Sequence, residues 1–351
     1  MLDKIKSNYL TIFRLGVITI IGLGLRLWHL TSISLWHDEA FSALLIKYNW
    51  GEMMYRIGLD VHPPMYYIFL RIWSDIFGHS LFALRGMSVL FGVGTILATY
   101  YFVNYVFENK KTALLAALLV AVNPFQVQYV TEARMYTMGG FFAITAAWAL
   151  VAALRNQTSY YINAGNEFLR AQLKKRFLLC YLLFVISSAI LIYTHYYLLF
   201  TVAALGAYAV LYCIIKYKFE LKKFLWVVLS GIAILVSFAP WFKIFLFQYK
   251  QVGAGYWIPP MNIWSIPSTL WDLLLQLPNP TNLMFVLVSL LTLLMMLVLL
   301  WKSQAVEKWL ILAGFLAPFA GSMLFVVLAK LQHSDSSVYL VRYFIFALRF
   351  T

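Results

Sequence analysis

Ten stretches of this chain are apolar over lengths that only a membrane accommodates, and they constrain the fold before any motif is weighed. They run near residues 12–30, 80–107, 112–130, 136–154, 177–193, 196–215, 224–246, 282–301, 309–329 and from 338 to the end. A helix of about 20 residues crosses roughly 30 Å of hydrocarbon. A spanning barrel would instead show short strands of alternating polarity. The expectation is therefore an all-α polytopic membrane protein with about ten transmembrane helices. It forms one transmembrane domain over residues 1–351, with no separate soluble domain. Composition agrees, since 63% of residues are hydrophobic and only 11% are charged, with a mean hydropathy of +0.81.

Basic residues in short loops favour the cytoplasmic side. Lys4 and Lys6, Lys110 and Lys111, the cluster from Arg170 to Arg176, Lys216 to Lys223, and Lys302 with Lys308 fall in alternate connections. That phase puts the amino terminus in the cytoplasm and makes the net charge of +14 chiefly a topology signal. A positive face also suits anionic membrane lipids, and nucleic acid is excluded as a partner. The same phase sends Asp38, Glu39, Glu52, Asp60, Asp75, Glu132, Asp272 and Asp335 outside, together with all six histidines. A transporter would place ionisable groups near the bilayer midplane. Here the polar chemistry gathers at the outer interface.

Cys180 and Cys213 lie inside apolar segments and read as small core residues rather than a disulfide or a metal motif. The first segment lacks a cleavage pattern after it and is expected to remain as a membrane helix. No Gly-rich phosphate loop follows a strand, so no nucleotide site is expected.

Two outer connections are long, at about 31–79 and 247–280. The first carries Trp36-His37-Asp38-Glu39 and His62-Pro63-Pro64 among mixed aromatic and aliphatic residues, a pattern expected of short helices lying in the interface. Proline is tolerated in a first helical turn, so His62 should stand at a helix amino terminus, where free N–H groups favour a phosphate. The second places Tyr256, Trp257, Trp264 and Trp271 around Pro259-Pro260 and reads as an interfacial aromatic segment. Asn123-Pro124 is followed by Glu132-Ala133-Arg134-Met135-Tyr136, which returns a carboxylate and a guanidinium to the outer face. The guanidinium fork suits phosphate. Thr194-His195-Tyr196-Tyr197 and Arg342-Tyr343-Phe344 arrive on the same side.

This arrangement resembles the integral-membrane glycosyltransferases of the GT-C fold, which use polyprenyl-phosphate-linked sugars. Among them are the dolichyl-phosphate-mannose-protein mannosyltransferase-like proteins and the aminoarabinose transferases of lipid A. The resemblance is carried by Asp38-Glu39, His62-Pro63-Pro64-Met65-Tyr66-Tyr67, Glu132 to Tyr136, and Arg342-Tyr343. It is strongest over residues 12–155. It implies inverting transfer of a sugar from a polyprenyl phosphate to an acceptor hydroxyl at the extracytoplasmic face of the cell membrane. Asp38 would be the catalytic base, since a carboxylate can take the hydroxyl proton late in the reaction. Arg134, with His62 and Arg342, would hold the lipid phosphate. Glu132 would orient Arg134 or bind a sugar hydroxyl, and Glu39, Tyr136, His195 and Tyr343 complete the expected substrate contacts. The acceptor could be a lipid, a glycan or a protein.

The resemblance implies no metal cofactor, although His37, Asp38, Glu39 and His62 are potential ligands if they meet. Two other functions stay open: a flippase for lipid-linked sugars, and a ligase or polymerase using a lipid-pyrophosphate donor. The chain stops within an apolar segment at Ala347-Leu348-Arg349-Phe350-Thr351, where relatives are expected to continue, so a truncated carboxyl end is expected.

Overall fold

The computed structural model describes residues 2–163, 165–218, 220–253, 258–302, 306–331, 337 and 339–344. Eight helices among them are long and apolar enough to cross a membrane, and a bent pair makes a ninth span if counted as one. The protein is a multi-pass, all-helical membrane protein, with no strand among the described residues. Of the ten expected spans, the last falls mostly outside those residues. Its described part, 339–344, ends in a short 3-10 turn at 341–344. The tail 345–351, Tyr256, Trp257, His333 and Asp335 also lie outside them.

Helix α1 (Leu2–Leu27) leads into three short helices: α2 (His37–Leu45), α3 (Trp50–Leu59) and α4 (Met65–Phe77). Spans α5 (Leu81–Phe107), α6 (Lys110–Val122), α7 (Pro124–Val130), α8 (Tyr136–Ile162), α9 (Glu167–Ile192) and α10 (Leu198–Tyr217) follow. The chain continues through α11 (Leu221–Phe238), α12 (Phe242–Gly253), α13 (Ser265–Leu274), α14 (Asn282–Lys302) and α15 (Lys308–Leu331). At the centre lies α8, the most enclosed span. Gly139, Gly140, Ala143, Ala146 and Ala147 are buried on it. Such small residues let the backbones of α5 and α9 approach closely.

The third expected span is not continuous, because α6 and α7 meet at 55°. Pro124 has no N–H to offer the carbonyl four residues back, and Asn123 caps the new helix by accepting from the Gln126 amide at 2.9 Å. The carbonyls of Val120 and Ala121 are instead bonded by Arg26 of α1, at 3.1 and 2.9 Å. Gly92 on α5 leaves room for this. A Cβ there would stand 2.6 Å from the Val130 side chain and 3.1 Å from Arg26 Nε. The break thus turns the chain toward the loop at 131–135.

In the first long connection, the short helices expected there are α2, α3 and α4. The amino terminus of α4 is docked, since the Met65 amide donates to the Tyr193 carbonyl at 2.8 Å. That bond anchors the His62 segment beside the residues that follow α9, and it occupies an N–H that was expected to be open to a phosphate. In the second connection, Trp271 turns inward instead of resting in the interface. It is buried, with Nε1 donating to the Leu277 carbonyl at 3.0 Å.

Candidate active site

Asp38 and Glu39 open α2, where a helix dipole favours carboxylates, yet they point to different surroundings. Glu39 is fully buried. Arg85 of α5 grips it with two hydrogen bonds, Nε to Oε1 at 2.9 Å and Nη2 to Oε2 at 2.7 Å. The Ala133 amide donates to Oε1 at 2.7 Å, and the Trp36 amide reaches Oε2 at 3.4 Å. Arg85 also donates to the carbonyls of Leu30, Ile33 and Ser34. The pair therefore ties the end of α1, the start of α2 and the 131–135 loop together. Both carboxylate oxygens are occupied, so the expected substrate contact at Glu39 is not what this geometry provides.

Asp38 faces the open side, with a quarter of its side chain exposed. Its Oδ2 lies 3.1 Å from Arg342 Nη1, and that guanidinium stacks over Trp36, 5.2 Å from the ring centre. Arg134 enters from behind. Its Nη1 donates to the Asp38 carbonyl, Ser42 Oγ and Tyr67 Oη at 3.2, 3.2 and 3.3 Å. Its Nε finds no partner among the described residues. Burial works against its charge, but Tyr67, Tyr136 and Asp38 outweigh that and hold the guanidinium above its ordinary value.

Glu132 sits beside these cations in the loop fastened by Glu39. Ser88 Oγ donates to its carbonyl at 2.7 Å, while its Oε2 has no partner among the described residues. Burial is the main cause of a pKa raised to about 7, against the lowering pull of Arg342. Tyr136 stands behind, fully buried, with its ring 5.3 Å from that of Tyr129.

A second group lies along the same face. Asp60 Oδ2 is 3.0 Å from His62 Nδ1, and the His62 ring is 5.7 Å from that of His195. His195 stacks on Tyr343 at 4.6 Å, and Tyr197 stacks on the same ring at 4.9 Å. The Tyr197 amide donates to His195 Nδ1 at 3.1 Å. Burial depresses both histidines; Asp60 counters this at His62, while the charges of Arg134 and Arg342 add to it at His195. Together with Tyr343, these histidines line a cavity of about 190 Å³. Its walls run down between α10, α12 and α15, along Leu199, Phe200, Phe245, Leu324 and Leu328.

Asp38, Arg134 and Arg342 therefore form one linked group, with Glu132 at its edge. His62, His195 and Tyr343 form another that lines the cavity. Among the described residues no three His, Cys, Asp or Glu side chains converge as metal ligands. Of the four potential ligands, Glu39 is held by Arg85 and His62 by Asp60. The sequence reading did not single out Arg85, Asp60, Ser42 or Tyr67. Tyr67 lay inside a quoted motif, and Asp60 two residues before His62, while nothing local marks Arg85 as the partner of a residue 46 positions away.

Residues 61–215 match the model of a family described as dolichyl-phosphate-mannose-protein mannosyltransferase, in agreement with the resemblance carried by the motifs. The matched range includes His62, Glu132, Arg134, Tyr136 and His195, whereas Asp38, Glu39, Arg342 and Tyr343 lie outside it. No curated protein matches the chain. Among solved structures it is similar to the archaeal oligosaccharyltransferase AglB from Archaeoglobus fulgidus, in complex with an inhibitory peptide and a dolichol-phosphate. The TM-score is 0.49 and the identity 15%, over 92% of this chain and 39% of that one.

Proposed function

We propose that the protein is an inverting glycosyltransferase that moves a sugar from a polyprenyl-phosphate donor to an acceptor hydroxyl at the extracytoplasmic face of the cell membrane. One observation carries this reading: a cluster of two guanidiniums and a carboxylate lies beside an apolar cavity between membrane helices, with Arg342 next to Tyr343 of the cavity wall. A polyprenyl phosphate has that same division, with an anionic head and a long hydrocarbon tail. The tail lies along Leu199, Leu324 and Leu328, and the head meets Arg342 and Arg134, whose forks bind phosphate oxygens in pairs. The family match over residues 61–215 supports a sugar as the group transferred.

Asp38 is the base in this reading. It is paired with Arg342, so a donor phosphate that draws Arg342 toward itself frees Oδ2 for the acceptor hydroxyl. The acceptor oxygen closes on the sugar carbon opposite the phosphate, and Asp38 takes its proton. Arg134 and Arg342 stabilise the charge that grows on the leaving phosphate. Glu132, at the edge of the cluster, binds a sugar hydroxyl. Glu39 acts at one remove, holding Asp38 and the 131–135 loop in place.

The test is a transfer assay in membranes with radiolabelled lipid-linked sugars, following release of polyprenyl phosphate. Release by the parent and its loss, by about 10²-fold or more, in Asp38→Asn is the expected outcome. Unchanged release in the variant would remove Asp38 as the base. Release of a lipid pyrophosphate would replace the donor with one of the ligase or polymerase type.

A further inference from the structure

Among the described residues, Asp60 is the carboxylate within hydrogen-bond reach of a histidine that lines the apolar cavity. Its Oδ2 stands 3.0 Å from His62 Nδ1, with only 25% of its own side chain and 13% of that of His62 exposed. The contact fixes which imidazole nitrogen serves which partner. Nδ1 belongs to the carboxylate, so Nε2 is the nitrogen left to meet a ligand. The segment itself is held from both sides. Met65 is bonded to the Tyr193 carbonyl, and Gln248 of α12 donates to the Ile57 carbonyl at 2.9 Å just ahead of Asp60. An oriented imidazole thus stands where a lipid phosphate would enter.

The chemistry of the leaving group gives that imidazole work to do. A polyprenyl phosphodiester carries one negative charge. When its bond to the sugar breaks, the departing monoester gains a second, and such an oxygen takes up a proton with a pKa of about 6. An imidazole, ordinarily near 6.5, is matched to that transfer.

We propose that His62, oriented by Asp60, is the general acid that protonates the departing lipid phosphate. This inference rests on the glycosyltransferase reading. The bond between the sugar carbon and the phosphate oxygen breaks, and its electron pair goes to the phosphate. The Nε2 proton of His62 moves to a phosphate oxygen. The acceptor oxygen bonds to the sugar carbon, and its proton goes to Asp38. Asp38 then releases that proton to water, and His62 takes one back as the lipid leaves. Asp60 is a positioning residue that holds the imidazolium by its other nitrogen.

The charges around His62 set its pH behaviour. Burial lowers it and Arg134 adds to that, whereas Asp60 and Asp38 oppose it. His195 faces it across 5.7 Å, with Arg342 beyond. An arriving phosphate anion adds a further raising charge. Turnover should therefore be full below the pKa of His62 in the donor complex and fall as the pH rises through it.

The deciding experiment measures kcat and KM against pH for the full-length protein in lipid nanodiscs, using synthetic polyprenyl-phosphate hexoses. His62→Gln and Asp60→Asn are compared with the parent, and thermal unfolding in the same discs reports on folding. For a folded His62→Gln variant we expect kcat to fall by about 10²-fold, KM to stay within about threefold, and the alkaline limb to disappear. In Asp60→Asn the limb should persist at lower pH. If His62→Gln raises only KM, or keeps the parent's alkaline limb, the acid assignment is overturned while the transferase reading stands. An acidic limb that depends on His62 would make it a base and overturn the proposal equally. A parent that moves sugar from no donor overturns the transferase reading, and this inference with it.

Discussion

Two sets of arginines lie in this protein, and they are bonded in different ways. Arg85, Arg26 and Arg155 serve the frame. Each donates at short range to backbone carbonyls: Arg85 to Leu30 at 2.7 Å, Arg26 to Gly22 and Ala121 at 2.9 Å, and Arg155 to Tyr105 at 2.7 Å. Arg85 and Arg155 add a carboxylate, Glu39 and Glu307. In the candidate site Arg134 is held more loosely, with three contacts of 3.2 to 3.3 Å from one nitrogen, while its Nε, like that of Arg26, has no partner among the described residues. Charge-assisted hydrogen bonds are ordinarily nearer 2.7–2.9 Å. Burial alone does not separate the sets, since Arg134 is as enclosed as Arg85. What separates them is the length of the bonds the donors make, and a buried cation held only by long bonds is one with capacity for an anion.

The largest effect that would sharpen this contrast is expected at Glu39. Glu39→Gln leaves Arg85 buried beside a neutral amide, and breaking such a pair costs about 3–5 kcal/mol. Thermal unfolding in detergent should show that loss, with transfer falling in proportion to the folded fraction. Asp38→Asn, one residue away, should unfold like the parent while losing turnover. If Glu39→Gln unfolds normally and yet abolishes transfer, Glu39 belongs to the substrate after all and the contrast fails.

Adjacent residues with such different fates also show how far the sequence could be read. The apolar runs made the all-helical membrane fold legible, because a span has one solution for its backbone polar groups. The motifs made it possible to gather Asp38, Arg134, His62 and Arg342 on one face, because the alternation of basic loops assigns each to the same side. What stayed hidden was pairing across distance. Glu39 and Asp38 are indistinguishable in the sequence, and only Arg85, in the second turn of another span, separates them. Asp60 looked like one more loop carboxylate until the chain brought it to His62. Arg26 stood near the end of an apolar run, where a basic residue is ordinary, and its role depends on a helix break 95 residues later.

A smaller effect is expected at that break. Arg26→Leu leaves the carbonyls of Val120 and Ala121 without their donors in a dry environment, at about 1–3 kcal/mol for each group. The bend then has a reason to relax, and the 131–135 loop moves with it. Lower thermal stability should therefore come with a reduced kcat even at temperatures where the protein remains folded. A variant of full stability and activity would show that Asn123 and Pro124 hold the bend unaided. The residue would then stand apart from the other frame arginines.

The smallest effect concerns Glu132, which lies between the two sets. Burial raises it from an ordinary 4.5 to about 7, against the pull of Arg342 and Arg134. Between those values the folded protein keeps a proton that the unfolded chain has released. Its contribution to stability is therefore present at low pH, declines as the pH rises from about 4.5 to 7, and levels off above. Solvent at its partly open side screens the charge, so the decline should be on the order of 1 kcal/mol. Glu132→Gln should remove this slope and leave the opposite one from His62 and His195, which burial holds below the ordinary 6.5, so that stability rises as the pH climbs toward that value. Melting temperatures of parent and variant across pH 4.5 to 8 would separate the two. If the parent gains stability through that window and the variant does not, the ionised form is the one the fold prefers. Arg342 and Arg134 would then already be satisfied by Glu132, leaving less capacity for a phosphate than the open-face reading requires.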